Sequence, residues 1–212
     1  MDVRMLTVGQ IAENCFVFRR DDSDRALIVD PGDEAPRILN AAEELGVTID
    51  GILLTHTHFD HIGAVAPVAK ATGAPVWCPE IETPVLADIN SFVPWPGFGP
   101  YESYDADHKV SGGEQLELAG MEIDVIFTPG HSPGHVTYSV PEEAAIFSGD
   151  VLFQGSVGRT DLPGGDWATL LESIRTLVDS HPPETTVYPG HMGITTLGAE
   201  RATNPFLAEL AR

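Results

Sequence analysis

The sequence predicts a mixed α/β (α+β) fold, two sheets with helices on their outer faces, and three observations lead there. Short apolar runs alternate with stretches of helical period. The run GILLT at 51–55 is apolar without polar alternation, as in a strand covered on both faces. Each half of the chain passes from strands to helices.

In chain order, VRMLTV, CFVF and ALIVD read as strands, and EAPRILNAAEELG as a helix with Pro36 near its start and Gly46 as its stop. GILLT is the next strand. A second helix is expected from Ala64 to Thr72, ending at Gly73, with Pro67 tolerated in the first turn. PVWCP reads as a strand, and Ile89 to Val110, rich in Pro, Gly and aromatic residues, as a long surface loop. QLELAGMEIDVIF, VTYSVP and AAIFSGD follow as strands, then the amphipathic helix DWATLLESIRTLVDS and the strand TTVYPG. Without linker or tandem repeat, residues 1–212 read as a single domain.

Acidic residues outnumber basic ones 32 to 11, giving a net charge of −21, so nucleic acid is not an expected partner. Solubility explains the acidity more simply than a specific role does. No run approaches the roughly 20 apolar residues that cross a bilayer, and the opening MDVRMLTVGQIAENC lacks the apolar stretch of a secretory signal. A cytoplasmic protein without membrane contact is expected. Cys15 and Cys78 lie singly in apolar runs and read as core thiols, neither disulfide-bonded nor bound to metal.

The chemistry concentrates in THTHFDH, directly after GILLT. In an extended segment residues two apart share a face, so His56 and His58 can address one metal ion, while Asp60 and His61 turn toward a second. Clustered imidazoles at a strand end gain little from packing, so metal binding explains them better. IFTPGHSPGH, AIFSGDVLF and VYPGHMG repeat the form, each an apolar strand whose turn presents one ligand-type side chain: His131, Asp150 and His191. Gly130, Gly149 and Gly190 are expected to allow the tight backbone these turns need.

Together with Asn14-Cys15 and Asp30-Pro31-Gly32, these motifs resemble the metallo-β-lactamase superfamily over nearly the whole chain. Within it they are similar to the short glyoxalase II-like (hydroxyacylglutathione hydrolase-like) proteins. The resemblance implies a four-layer αββα sandwich and a binuclear centre. His56, His58 and His131 would bind the first ion, Asp60, His61 and His191 the second, and Asp150 would bridge them. Asp60 and Asp150 are the carboxylates expected to take part in catalysis. Two divalent ions per chain are expected, zinc first, with iron and manganese as alternatives.

Asp30 falls where the family places an acidic residue beside the metal loop. It either orients a ligand or stabilises the turn before Pro31. His135 reads as structural, and His108 and His181 as exposed. Arg159, in the segment GRTD at 158–161, is expected to pair with a nearby carboxylate.

Metal binding lowers the pKa of water from about 15.7 to about 7 and so supplies hydroxide as a nucleophile at neutral pH. The leading expectation is hydrolysis of an acyl thioester of a small thiol, of the S-lactoylglutathione type, whose thiolate leaves without a strong acid. The stretch after His191 is too short for the helical domain that carries basic glutathione-binding residues in the long enzymes. Recognition then falls to the aromatic loop of Phe92, Trp95, Phe98 and Tyr101, unless that loop packs on its own side chains. The alternative is a mononuclear iron persulfide dioxygenase, which resembles the chain in the metal motif and in GRTD. The intact YPGH at 188–191 favours hydrolysis. True β-lactamase and nuclease activities fit less well, and a non-catalytic metal protein would be expected to have lost a ligand. The expected partner is a small-molecule thioester, bound by a monomer or small homo-oligomer.

Overall fold

A computed structural model describes residues 1–208. The chain forms two compact units, residues 1–110 with 117–121, and residues 111–116 with 122 onward. The expected class, mixed α/β with two principal sheets, is the one observed.

In the first unit the elements are β1 (Asp2–Val8), β2 (Glu13–Arg19), β3 (Arg25–Val29), α1 (Ala35–Leu45), β4 (Thr48–Leu53), α2 (Phe59–Ile62), α3 (Val65–Thr72), β5 (Val76–Pro79), α4 (Thr83–Ala87) and β6 (His108–Val110). The sheet follows chain order from β1 to β6. Its first three strands are antiparallel, and β3 through β6 run parallel. Parallel neighbours need crossovers, which α1 and α3 provide. Ile38 and Ala41 of α1 and Val65 and Val68 of α3 share a core with Val17, Ile28, Ile52 and Val76. Phe16, Phe18, Leu27 and Leu53, of the opposite parity, are buried as well, for Leu53 as the unbroken run GILLT predicted. Gly46 closes α1 in the left-handed conformation (φ 65°), its N–H reaching the carbonyls of Ala42 and Glu43.

In the second unit the elements are β7 (Gln115–Leu118), β8 (Met121–Phe127), β9 (Val136–Val140), β10 (Ala145–Gly149), β11 (Leu152–Phe153), β12 (Ser156–Val157), α5 (Trp167–Ser180), β13 (Thr186–Pro189), β14 (Thr195–Thr196) and α6 (Leu197–Thr203). The sheet order is β14-β13-β10-β9-β8-β7, with β11 and β12 forming a small pair of their own. β10 and β13 are parallel, joined through α5, whose Leu170, Ile174 and Leu177 pack with Ile146 and Val187. Asp166 caps α5 by accepting from the Thr169 N–H.

Three sequence expectations need correction. QLELAGMEIDVIF is the hairpin β7–β8 and not one strand, because Ala119 and Gly120 both adopt positive φ (51° and 73°), the geometry of a two-residue hairpin turn. The segment from Ile89 to Val110 is not loop throughout: it ends in β6, which pairs Trp77 with His108, and its ends are tied where Asn90 exchanges two 2.8 Å bonds with the Tyr101 backbone. His108, exposed as expected, belongs to that strand and stacks on Trp77 at 4.5 Å. His181, at the end of α5, is half-buried and bonded to Ser139. A three-residue strand is too short to register a period.

The facing of the first sheet is open to a stability test. Ile28→Ala, in the shared core, is expected to cost about 3–4 kcal/mol, whereas Met5→Ala, on the partly open β1, should stay within about 0.5 kcal/mol. Urea unfolding midpoints compared at constant slope measure both.

Candidate metal centre

In the first unit the ligand-bearing segment leaves the carboxyl end of β4. Thr55, His56, Thr57 and His58 continue from it, and α2 then begins, presenting Asp60 and His61. His56 and His61 are buried, while His58 and Asp60 are partly open. The rings of His56 and His58 meet edge to face at 4.8 Å between centroids, and those of His56 and His61 lie 4.2 Å apart. Asp60 Oδ2 lies 3.8 Å from His61 Nε2. All four expected ligands of this unit are thus brought together.

Asp30 lies under them, 1% exposed, at the carboxyl end of the neighbouring β3. Its carboxylate accepts from the Thr55 N–H (2.7 Å), the Thr55 hydroxyl (2.6 Å) and His61 Nδ1 (3.0 Å). These contacts assign the ring protons. The Thr55 hydroxyl spends its only proton on Asp30, so its 3.0 Å contact with His56 Nδ1 is donated by the imidazole. His61 likewise donates from Nδ1. Both rings therefore present an Nε2 lone pair, the form a metal requires. Of the two readings of Asp30, the geometry supports the one that orients ligands.

The second unit applies the same logic. His131, Asp150 and His191 follow β8, β10 and β13. His131 Nδ1 lies 2.7 Å from the carbonyl oxygen of Arg159, to which only an N–H can bond, so Nε2 again carries the lone pair. That Nε2 is 3.3 Å from Asp150 Oδ2, and His191 Nε2 is 3.6 Å from the same oxygen. One carboxylate oxygen facing two imidazole nitrogens is a fitting arrangement for a shared cation. Gly158 of GRTD is required here, because a Cβ would stand 1.8 Å from the Asp150 carbonyl oxygen. Gly130 and Gly149 adopt positive φ as expected, but Gly190 is not among the positive-φ residues.

His135 has the role expected of it. It accepts the Asp150 N–H at Nε2 (3.1 Å), which puts its proton on Nδ1, donated to the Thr128 hydroxyl (3.1 Å). Its lone pair is engaged and it holds the backbone of Asp150. Arg159 pairs through two 2.7 Å bonds with Asp161, whose carboxyl group those bonds hold down at about 2. Burial pushes the thiols of Cys15 and Cys78 up, and both are free cysteines, as expected of core side chains.

Other polar residues of the site escaped the sequence reading. Glu13, 1% exposed, places Oε1 3.8 Å from His61 Nδ1, and Glu82 accepts from Thr57. Phe59, between His58 and Asp60, packs on Trp95, Phe98 and Tyr101 at 4.9–6.0 Å between centroids. The aromatic segment is thus anchored on the metal-ligand loop rather than on itself alone.

The family model of the metallo-beta-lactamase superfamily matches residues 8–191, and the chain belongs to that superfamily. It is 41% identical over 212 residues to a probable metallo-hydrolase, YqgX, of Bacillus subtilis, and 36% identical over 220 residues to the hydroxyacylglutathione hydrolase GloC of Haemophilus influenzae, covering 98% of both chains in each case. Among solved structures it is similar to the BLEG-1 B3 metallo-beta-lactamase (40% identity, TM-score 0.92, 98% and 100% covered). It is also similar to TTHA1623 in a di-iron-bound form (41%, 0.84, 96% and 100%) and to ETHE1 from Myxococcus xanthus (26%, 0.79, 99% and 85%). The protein is thus of a metallo-hydrolase family that binds divalent metals.

The role of Asp30 can be tested directly. Asp30→Asn keeps one acceptor oxygen for Thr55 but turns amide donors toward His61 Nδ1–H. Its metal affinity, measured by chelator competition, is expected to fall about 10–100-fold. Unchanged affinity would leave Asp30 with the turn before Pro31 alone.

Proposed function

We propose that this protein is a binuclear metal-dependent hydrolase that cleaves an acyl thioester of a small thiol. The observation that carries the reading is the proton assignment: His56, His61 and His131 each commit Nδ1 to a named acceptor and present Nε2, while Asp150 Oδ2 faces the Nε2 atoms of His131 and His191. In the assignment carried by the family resemblance, His56, His58 and His131 would hold one ion, Asp60, His61 and His191 would hold the other, and Asp150 would serve both. When bound, such ions lower the pKa of water to about 7 and polarise a substrate carbonyl.

The chain's own residues supply the rest. Asp30 and the Arg159 carbonyl keep the imidazoles in one tautomer, and His135 keeps the Asp150 main chain in place. Asp60 adds a carboxylate beside His61 Nε2. A thiolate, the conjugate base of an acid of pKa about 8.5, departs without a strong proton donor. That the 36% identical Haemophilus influenzae relative is named a hydroxyacylglutathione hydrolase supports thioesters as the substrate class. Recognition falls to the loop anchored on Phe59, where Phe92 and Trp95 are 53% and 39% exposed. Arg37, Lys70 and Arg159 are meanwhile paired with Glu34, Glu102 and Asp161. No described helix is long and apolar enough to cross a membrane.

Two likenesses bear on other reactions at the same centre. The 40% identical BLEG-1 is named a B3 metallo-beta-lactamase, and the likeness to ETHE1, at 26% identity, fits the dioxygenase alternative. A single set of assays separates the readings. Protein purified without added metal should carry close to two ions per chain and release thiol from S-lactoylglutathione. Chelation should abolish this, and Asp150→Asn should lower kcat by about 100-fold or more. A single iron with oxygen uptake on a persulfide would replace hydrolysis by dioxygenation. Faster turnover of a chromogenic β-lactam than of any thioester would move the substrate class instead.

A further inference from the structure

In the first sheet β4 lies between β3 and β5, all three parallel, so the segments leaving their carboxyl ends emerge side by side. β4 yields Thr55-His56-Thr57-His58, in which threonines and histidines alternate. From the β3 side, Asp30 accepts both the N–H and the hydroxyl of Thr55. From the β5 side, the short turn Glu80–Glu82 brings in Glu82, whose carboxylate oxygen accepts the N–H of Thr57 at 3.2 Å and its hydroxyl at 2.6 Å. Thr57 is 1% exposed and Glu82 5%. The two grips have the same form, a buried carboxylate holding one threonine by both of its protons, and they act on alternate residues of one ribbon.

We infer that Glu82 is a positioning residue of the metal centre, acting through Thr57 to hold the backbone between His56 and His58. Two ligands separated by one residue share that residue's two peptide planes, so rotation there changes the aim of both imidazoles. The N–H bond to Glu82 fixes one plane, and the hydroxyl bond fixes the side chain on the face opposite the rings. The edge-to-face contact of His56 and His58 at 4.8 Å is the geometry so held. A buried carboxylate is unfavourable unless hydrogen-bonded, and a pair of apolar residues would fill the space without that requirement. What Glu82 and Thr57 add over such a pair is direction. The inference rests on the metal reading above and extends it to a residue that holds no metal itself.

The test uses the full chain carrying Glu82→Ala, Glu82→Gln, Thr57→Val or Thr57→Ser. Zinc affinity is measured by chelator competition, the cobalt(II) absorption spectrum reports ligand geometry, and metal-free samples are checked by far-UV circular dichroism and thermal melting. Glu82→Ala and Thr57→Val are expected to weaken zinc binding about 10–100-fold and to shift the cobalt bands. Glu82→Gln and Thr57→Ser, which keep an acceptor and a hydroxyl, should stay close to wild type. A purely structural role would lower the metal-free melting temperature and leave zinc affinity and the cobalt spectrum unchanged, which would overturn the inference. If Glu82→Ala does not fold, Thr57→Val decides on the same terms. A wild-type chain that binds neither ion would instead remove the metal reading itself, an outcome distinct from equal affinities.

Discussion

The carboxylate of Asp30 is the contact on which the first ligand cluster depends. It stands where β3 ends, in the left-handed region (φ 47°), with its own N–H held by the Leu53 carbonyl. A non-glycine residue there costs about 1 kcal/mol or more. Removing a carboxylate from water costs several kcal/mol. Three charge-assisted hydrogen bonds of about 1.5–3 kcal/mol each offset that penalty, and two of the three reach Thr55, which leads into the ligand loop. One buried group therefore sets the tautomers of two histidines, His61 directly and His56 through the Thr55 hydroxyl. Gly32 completes the arrangement: a Cβ there would lie 1.7 Å from the Asp60 carbonyl oxygen, so the DPG turn and the metal loop can approach only without it.

The second unit holds Asp150 through its main chain. Asp150 N–H, His135, the Thr128 hydroxyl and the Thr137 hydroxyl form one donor-to-acceptor chain, each link at 3.0–3.1 Å. Its polarity leaves no choice of tautomer for His135, because an amide N–H can only donate. The PGH triplet thus appears twice with opposite uses. His131 turns its lone pair toward Asp150 Oδ2, while His135 turns its lone pair to the Asp150 backbone. Position relative to β9 separates them, since His135 immediately precedes that strand and Thr128 immediately follows β8.

The candidate ligands stand out in the sequence because each is local. THTHFDH, PGH and SGD each place a metal-type side chain directly after an apolar run, and the structure puts His56, His58, Asp60, His61, His131, Asp150 and His191 in just such turns. The supporting acids were not legible, for a physical reason. Glu82 and Glu13 act on the loop only because β5 adjoins β4 and because β2 lies in the same sheet, and strand adjacency is not written in the local pattern of either residue. The β7–β8 hairpin was hidden for another reason: a two-residue turn leaves the strand-like composition on both sides unbroken. Short elements such as β6 and β14 carry too few residues to show any period.

Phe59 connects the aromatic loop to the segment that carries the candidate metal ligands. It sits between two ligands, His58 and Asp60, yet its ring points into the cluster formed with Trp95, Phe98 and Tyr101. The candidate ligands follow strands whose register the cores determine. The loop, by contrast, is built of aromatic faces whose placement depends on a residue of the metal motif itself. Of its exposed rings Trp95 belongs to that cluster, at 5.9 Å from Phe59, whereas Phe59 itself belongs both to the cluster and to the short helix that presents Asp60. On the reading proposed above, substrate choice would be set at the exposed end of the loop and constrained at its base on Phe59.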